Sequence, residues 1–342
     1  MAQLLHERIL SKQQNPQDDS PLFRMLPAEV RDYIFSFVLA DHPDPSPSRQ
    51  YNPQTCYSRP SYFAPQRTDT RVLRTCRAIY RETWFRPFLL REHTQWATSD
   101  DRAPPKTIRR QHQPALLKML KQIAKQQGLE TVEIERLRVF AQMYKLEEGK
   151  LRTILATRLL APRTLTLTIR HTDWWFWEHD EPLRFQGCWI NDVGRAMSSS
   201  TNQFCIELES LERKKDQVDR IAEQMMEKWF FKRQDGVVLF AEAEGATKTE
   251  SRWSGSSTWH NQRWIRDETA PGRLDYYIVS VTFLPRAVIE RRGGNISPVA
   301  ARFACERVFD GDQLCLSLPE QDSIEDPRPC ISVESASENG GY

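Results

Sequence analysis

The chain has 342 residues, enough to bury a substantial core in one or two domains. Hydrophobic residues make up 39% and charged residues 27%, the balance of a soluble protein with some unstructured segments. The 48 Lys and Arg nearly cancel the 46 Asp and Glu, leaving a formal charge of +2, so no net basic footprint favours nucleic acid as a partner. No run approaches the ~18 apolar residues of a membrane span, and the opening MAQLLHERIL lacks the apolar core of a signal peptide. Seven cysteines, odd in number and irregularly spaced, fit reduced thiols. The expectation is a cytoplasmic or nuclear protein with no membrane association.

Residues 1–20 read as a flexible polar leader with a short helix over 4–10. Residues 21–39, PLFRMLPAEVRDYIFSFVL, carry the sharpest local signal. Pro27 suits a first helical turn and Glu29 lies near the positive end of the helix dipole. Val30, Tyr33, Ile34, Phe37 and Val38 recur at i, i+3, i+4, i+7 and i+8, an apolar stripe that must face a core or a partner. Leu22, Phe23, Met25 and Leu26 add an apolar ledge before it. Residues 41–67 then hold Pro43, Pro45, Pro47, Pro53, Pro60 and Pro65, which exclude regular structure. Tyr51, Tyr57, Tyr62 and Phe63 are interleaved with them, so this insertion is expected to lie on the domain and shield apolar area.

Asp69 or Thr70 caps the next helix, whose buried stripe is Val72, Leu73, Cys76, Ile79, Tyr80, Thr83 and Trp84 and which packs on the first. Arg71, Arg74, Arg77 and Arg81 on its other face read as solvated. Residues 86–113 read as an irregular connection around Pro87, Pro104 and Pro105. A helix over 114–127 follows, ended by Gly128.

From Leu129 the pattern changes. Leu137, Val139, Ala141 and Met143 alternate with Arg136, Arg138 and Gln142 as in a half-buried strand, the favoured reading, although Ile134, Leu137, Ala141 and Tyr144 also fit a helix; residues 146–160 read as a helix closed by Pro162, and TLTLTIRHT (164–172) is a strand. Strand, helix and strand suggest a βαβ crossover. A second such unit is expected from a strand over 204–211, a helix over 213–233 with the stripe Val218, Ile221, Ala222, Met225 and Trp229, and a strand over 236–242. Residues 249–253 and 273–284 read as further strands. The acidic end of the chain lacks the apolar side chains to offset its ordering entropy. The predicted organisation is therefore a leader (1–20), a helical region (21–128), a mixed-sheet region (129–290) and a largely disordered tail (291–342), an α+β fold with βαβ-type connections.

Two aromatic clusters stand out. His171, Asp173, Glu178, His179 and Asp180 surround Trp174, Trp175, Phe176 and Trp177, and Trp253, Trp259 and Trp264 stand among Arg252, Arg263 and Arg266. Their spacing matches no metal-ligand motif, so neither a metal nor a cofactor is expected. There is no GxSxG elbow and no phosphate loop, and no catalytic constellation is visible. Two readings remain for these clusters. Trp175, Trp177, Trp253 and Trp259 would form the surface of a stand-alone binding module if their rings are exposed, whereas an enzyme of unrecognised type would need a deep pocket around His171, Asp173, Glu178 and His179.

Leu26-Pro27, Glu29, Ile34-Phe35 and Val38-Leu39 resemble the opening helix of an F-box, whose pattern is Leu-Pro-x-Glu followed by apolar residues. The later 72–82 stretch, VLRTCRAIYRE, resembles the second half of F-box-like modules of fungal proteins, with the proline-rich insertion separating the halves. The resemblance implies that Leu26, Pro27, Ile34 and Leu39 dock the small adaptor subunit of a cullin-based ubiquitin ligase while the C-terminal region selects a protein substrate.

Overall fold

The computed structural model describes residues 5–13, 15–60, 62–105, 112–243, 247–259, 262–306 and 316–317. The chain opens with helices α1 (Leu5–Ser11), α2 (Pro21–Arg24) and α3 (Ala28–Val38). A short ribbon of β1 (Asp41–Pro43) and β2 (Gln66–Thr68) brackets the proline-rich insertion, and helices α4 (Arg77–Thr83) and α5 (Arg86–Leu90) follow. The leader is not loose. His6 hydrogen-bonds the Tyr80 hydroxyl at 2.9 Å, and the guanidiniums of Arg77 and Arg81 donate to the carbonyls of Gln13, Leu10 and Lys12. Two arginines read as solvated thus strap the leader onto α4, because its unpaired carbonyls are the nearest acceptors. The single helix expected over 69–84 is interrupted: residues 71–74 form a 3-10 turn, and Cys76 starts α4 by accepting the Ile79 N–H.

The remaining elements build a mixed sheet flanked by helices. In chain order they are β3 (Glu92–Ala97), α6 (His112–Gln127), β4 (Val132–Ala141), α7 (Met143–Glu147), α8 (Lys150–Leu155), β5 (Leu160–Ile169), β6 (Arg184–Phe185), α9 (Ile190–Ala196), β7 (Gln203–Leu211) and α10 (Lys215–Lys228). Then come β8 (Phe230–Lys232), β9 (Val238–Phe240), β10 (Lys248–Ser256), β11 (Thr258–Trp259), β12 (Gln262–Arg263), β13 (Arg273–Pro285), α11 (Arg286–Arg291), α12 (Pro298–Cys305) and β14 (Leu316–Ser317). Strands β3, β4, β5 and β7 lie side by side and parallel, and β13 closes antiparallel onto β7 with β10 antiparallel beyond it. The end of β13 also meets β9, which pairs with β8. The fold is α+β with a mixed sheet, and the β4-to-β5 crossover is parallel as expected.

Several expectations need correction. The 86–113 stretch is not irregular throughout: it supplies α5 and the edge strand β3, so the sheet begins well before residue 129. The 146–160 helix breaks at Gly149, whose φ of +76° favours glycine, and Pro162 lies inside β5 instead of ending a helix. The second βαβ unit does not form. Its helix α10 is present, but β13 pairs along eight residues of β7 and takes that edge, so β9 joins β13 and β8 antiparallel instead. The ordered chain also runs past residue 291: α12, capped by the Ser297 hydroxyl, buries Ala300 and Ala304 against Phe230, Phe240, Leu284 and Ile289. Residues 318–342 lie outside the described residues.

Strand alternation gives the sheet two unlike faces. One carries Leu137, Val139, Leu165, Leu167, Ile169, Phe204, Ile206, Leu208, Val279, Val281 and Phe283, all buried in the main core together with residues of α6 to α10. The other carries Glu92, Trp96, Arg138, Phe140, Thr168, Glu207, Glu209 and Tyr276. This second face is covered by the proline-rich insertion. Tyr62 packs on Trp96 and Phe140 with ring centroids 5.5 and 5.2 Å apart, and Arg59 enters between Glu207 and Glu209. The insertion therefore shields a charged face, not only apolar area.

Candidate functional site

Helix α3 buries the opposite side from the one its strongest periodicity marks. Phe35 and Leu39 pack with Ile79 in a small core completed by Leu22, Phe23, Val72, Leu73, Cys76 and Leu90. Arg31, on the same side, donates to Glu82 at 3.1 Å and to the Leu26 carbonyl at 2.7 Å and lies over the Phe23 ring, while Asp32 pairs with Arg86. The stripe Val30, Tyr33, Ile34, Phe37 and Val38 is left in solvent, together with Met25 before it. Met25, Tyr33 and Phe37 are 73%, 66% and 66% exposed, and the rings of Tyr33 and Phe37 meet edge to face at 4.8 Å. Isolated exposed apolar residues are ordinary, but six on one helical stretch are a contiguous patch of the kind that marks an interaction site.

Of the four residues assigned to docking, Pro27 and Ile34 are exposed and Leu26 is half-buried. Leu39 is a correction: it is fully buried and holds α3 onto α4, so its side chain meets no partner directly. Tyr33 and Phe37, by contrast, are more exposed than Ile34, which is 37% exposed. Their spacing at i and i+4 within the stripe was the available signal.

The tryptophan clusters turn inward. Trp177 and Trp259 are buried and stack around Trp264, with Arg102 lying 5.1 Å over the Trp177 ring. Trp253 is half-buried, stacked at 4.4 Å on Tyr276, and its indole donates to Glu209 at 3.2 Å. The Trp175 indole donates to Glu147 at 2.8 Å. Buried rings offer no surface to a ligand, which corrects the placement of Trp177 and Trp259 on a binding face. The sequence brought them together through two loops that close over one end of the sheet.

The titratable residues of the same region do not converge. Asp173 is locked in a buried pair with Arg170 at 2.6 Å, Glu178 lies 3.4 Å from Arg102, and His179 is exposed. His171 is buried edge-on to Trp177, and burial pushes its pKa down to about 3, so the ring is neutral. Among the described residues no group of three metal-type ligands exists. Burial raises the thiol of Cys56, and raises Cys205 to about 11, the opposite of nucleophile activation. This region has the character of a packed polar core.

Two features had no clear sequence signal. One is the charged row beneath the insertion. Arg138 bridges Glu92 at 2.9 Å and Glu207 at 2.6 Å, Thr168 donates to Glu207, and Arg59 adds contacts of 3.5 and 3.6 Å to Glu207 and Glu209. The other is a cleft of about 570 Å3 along the free edge of β3, between the insertion on one side and α5 and α6 on the other. Its size is that of an ordinary ligand pocket. The chain matches no protein-family model, no curated protein and no solved structure. Among the described residues no helix is long and apolar enough to cross a membrane.

Proposed function

We propose that the protein is a protein-interaction receptor in which α3 docks the adaptor subunit of a cullin-based ubiquitin ligase and the mixed-sheet region recognises a protein substrate. The observation that carries this reading is the uncovered apolar stripe of α3, on the element whose Leu-Pro-x-Glu opening resembles an F-box. Leu26, Pro27 and Ile34 belong to the docking face with Tyr33 and Phe37, and Leu39 supports it from behind. Truncating interface hot spots costs about 2 kcal/mol or more each. The test is binding of the purified protein to purified adaptor subunit, beside a Tyr33→Asp, Phe37→Asp variant. Both side chains are exposed, so the melting temperature should be unchanged while affinity falls at least a hundredfold. A wild-type protein that does not bind the adaptor, or a variant that binds equally well, refutes the reading.

A further inference from the structure

The cleft beside β3 has an unusual floor. Among the described residues strand β3 is the end strand of the sheet, paired only with β4. The Ala97 carbonyl accepts from Gln142, so residues 93, 95 and 97 direct their backbone groups toward β4, and the alternation of a parallel ladder turns those of Glu92, Thr94 and Trp96 the other way. The Glu92 N–H is taken by the Asp41 carboxylate at 2.9 Å. Thr94 lines the cleft with its N–H and carbonyl on the outward side, away from the β4 ladder. Natural edge strands are blunted by Pro, Lys or bulges, and β3, EHTQWA, has neither residue. Its protection comes from position. The insertion, through Tyr51 and Tyr62, and the helical layer, through Phe88, Leu116 and Met119, line the cleft on either side of the strand.

The mouth is positively charged. Arg49 and Arg91 both line the cleft and are exposed, and neither has an ion-pair partner among the described residues, although Arg91 lies 5.4 Å over the Phe88 ring. The nearby acids have stronger partners elsewhere, although Asp44 also feels Arg49 and Asp41 also feels Arg91. Asp41 pairs with Arg136 and Glu92 with Arg138, while His93 is buried and neutral, its Nε2 2.6 Å from the Phe88 carbonyl.

From these features we propose that the cleft binds an extended peptide that adds to β3 as a further strand. Alternate apolar side chains of the peptide lie against the aromatic and aliphatic walls, and an Asp or Glu meets Arg49 and Arg91. Strand addition supplies affinity through main-chain hydrogen bonds and specificity through pockets for alternate side chains. A small amphipathic acid would satisfy the walls and the arginines but would leave the spaced donors and acceptors of the strand edge unpaired, and an unpaired buried group costs about 1–3 kcal/mol. The proposal deepens the receptor reading above and rests on it only for what becomes of the captured protein.

The test is selection of a random 12-residue phage-displayed library on the full-length protein, followed by fluorescence anisotropy with a synthetic copy of the most enriched peptide. The expected result is apolar residues at alternate positions with at least one Asp or Glu, and binding that falls at least tenfold in Thr94→Pro and in the Arg49→Ala, Arg91→Ala double variant. Thr94→Pro removes an outward N–H and spares the β4 ladder, since proline is tolerated on an edge strand in that orientation. Should it lower the melting temperature, the arginine double variant decides. Failure to enrich any peptide, an enriched sequence without the alternation, or unchanged binding by the double variant overturns the proposal. Binding that appears only after removal of residues 318–342 also overturns it, since the chain's own tail would then be the occupant. No adaptor is present in these measurements, so failure of α3 docking and failure of the cleft are read separately.

Discussion

Replacing Arg59 with Met tests how the insertion is held to the sheet. The Arg59 side chain is 4% exposed and sits 3.5 Å from Glu207 and 3.6 Å from Glu209. Met keeps most of the apolar stem and deletes the charge. Glu207 would retain Arg138 and the Thr168 hydroxyl, whereas Glu209, 5% exposed, would keep the Trp253 indole and the more distant charge of Arg170. Removing one partner of a buried pair costs about 3–5 kcal/mol. The Arg59 contacts are long, and its Nε and Nη1 make no hydrogen bond, so the lower end, about 3 kcal/mol, is expected. Read by hydrogen exchange at pH 7, that is roughly a hundredfold faster exchange at the Tyr62 and Tyr51 amides, which donate to Arg59 and Phe63 carbonyls within the insertion. Adding Glu209→Gln should recover much of the loss, because it removes the stranded charge. Exchange at Tyr62 that is unchanged in Arg59→Met would refute the argument and leave the aromatic contacts of Tyr62 as the whole attachment.

Four further outcomes follow from the same reasoning. Leu39→Ala, in a core of three buried residues, should cost about 2–5 kcal/mol and detach α3, seen as loss of protection confined to the N-terminal helices; global unfolding instead would show that this core is continuous with the sheet. His93 and His171 are held neutral by burial, with pKa values near 4 and 3 against an unfolded value of 6.5. Below pH 6.5 the unfolded chain takes up protons that the folded chain refuses, so stability should fall as pH drops from 6.5 toward 4, by up to about 1.4 kcal/mol per unit for each histidine, and a urea-unfolding profile flat over that range would contradict the burial. Gly255→Ala would place a Cβ 2.6 Å from the Trp253 ring, so Trp253 should leave Tyr276, with a red-shifted tryptophan emission as the readout. Asp41→Ala should speed exchange at the Glu92 amide by tenfold or more, and no change there would mean that the contact to β3 carries no energy.

Where side-chain pattern and burial coincide, the elements were legible. Strands β5, β7 and β13 and helix α10 carry long periodicities, and the structure buries the residues those periods mark, such as Leu165, Ile206, Val279, Val218, Ile221 and Met225. Strand β3 escaped because its alternation sets Glu92, Thr94 and Trp96 against His93, Gln95 and Ala97, with no apolar side to reveal it. Its burial is conferred by neighbours distant in sequence. Arg59, Arg138, Glu207 and Glu209 each look like solvated charges in isolation, and only the fold sets them opposite one another. The α3 stripe was legible as apolar, but periodicity states that a face avoids water without saying what covers it, and Phe35 and Leu39 were enough to hold the helix. Trp177 and Trp259, 82 residues apart, pack through loops whose course no local pattern encodes.

The insertion also settles how the two proposed surfaces are related in space. It begins immediately after α3 and returns through β2, and β1 pairs with β2 across it. Asp41, two residues beyond the buried Leu39, accepts the Glu92 N–H at the start of β3 and pairs with Arg136 of β4. A single short connection therefore anchors the end of the exposed helix to the edge strand that floors the cleft, while Arg31, Asp32 and their partners Glu82 and Arg86 anchor the helix along its length. On the proposed reading, in which α3 docks an adaptor and the cleft holds a peptide, a rigid joint between the two surfaces would fix the captured chain relative to the adaptor. The proline-rich stretch between α3 and α4 is, in this arrangement, the brace that fixes α3 against the cleft beside β3.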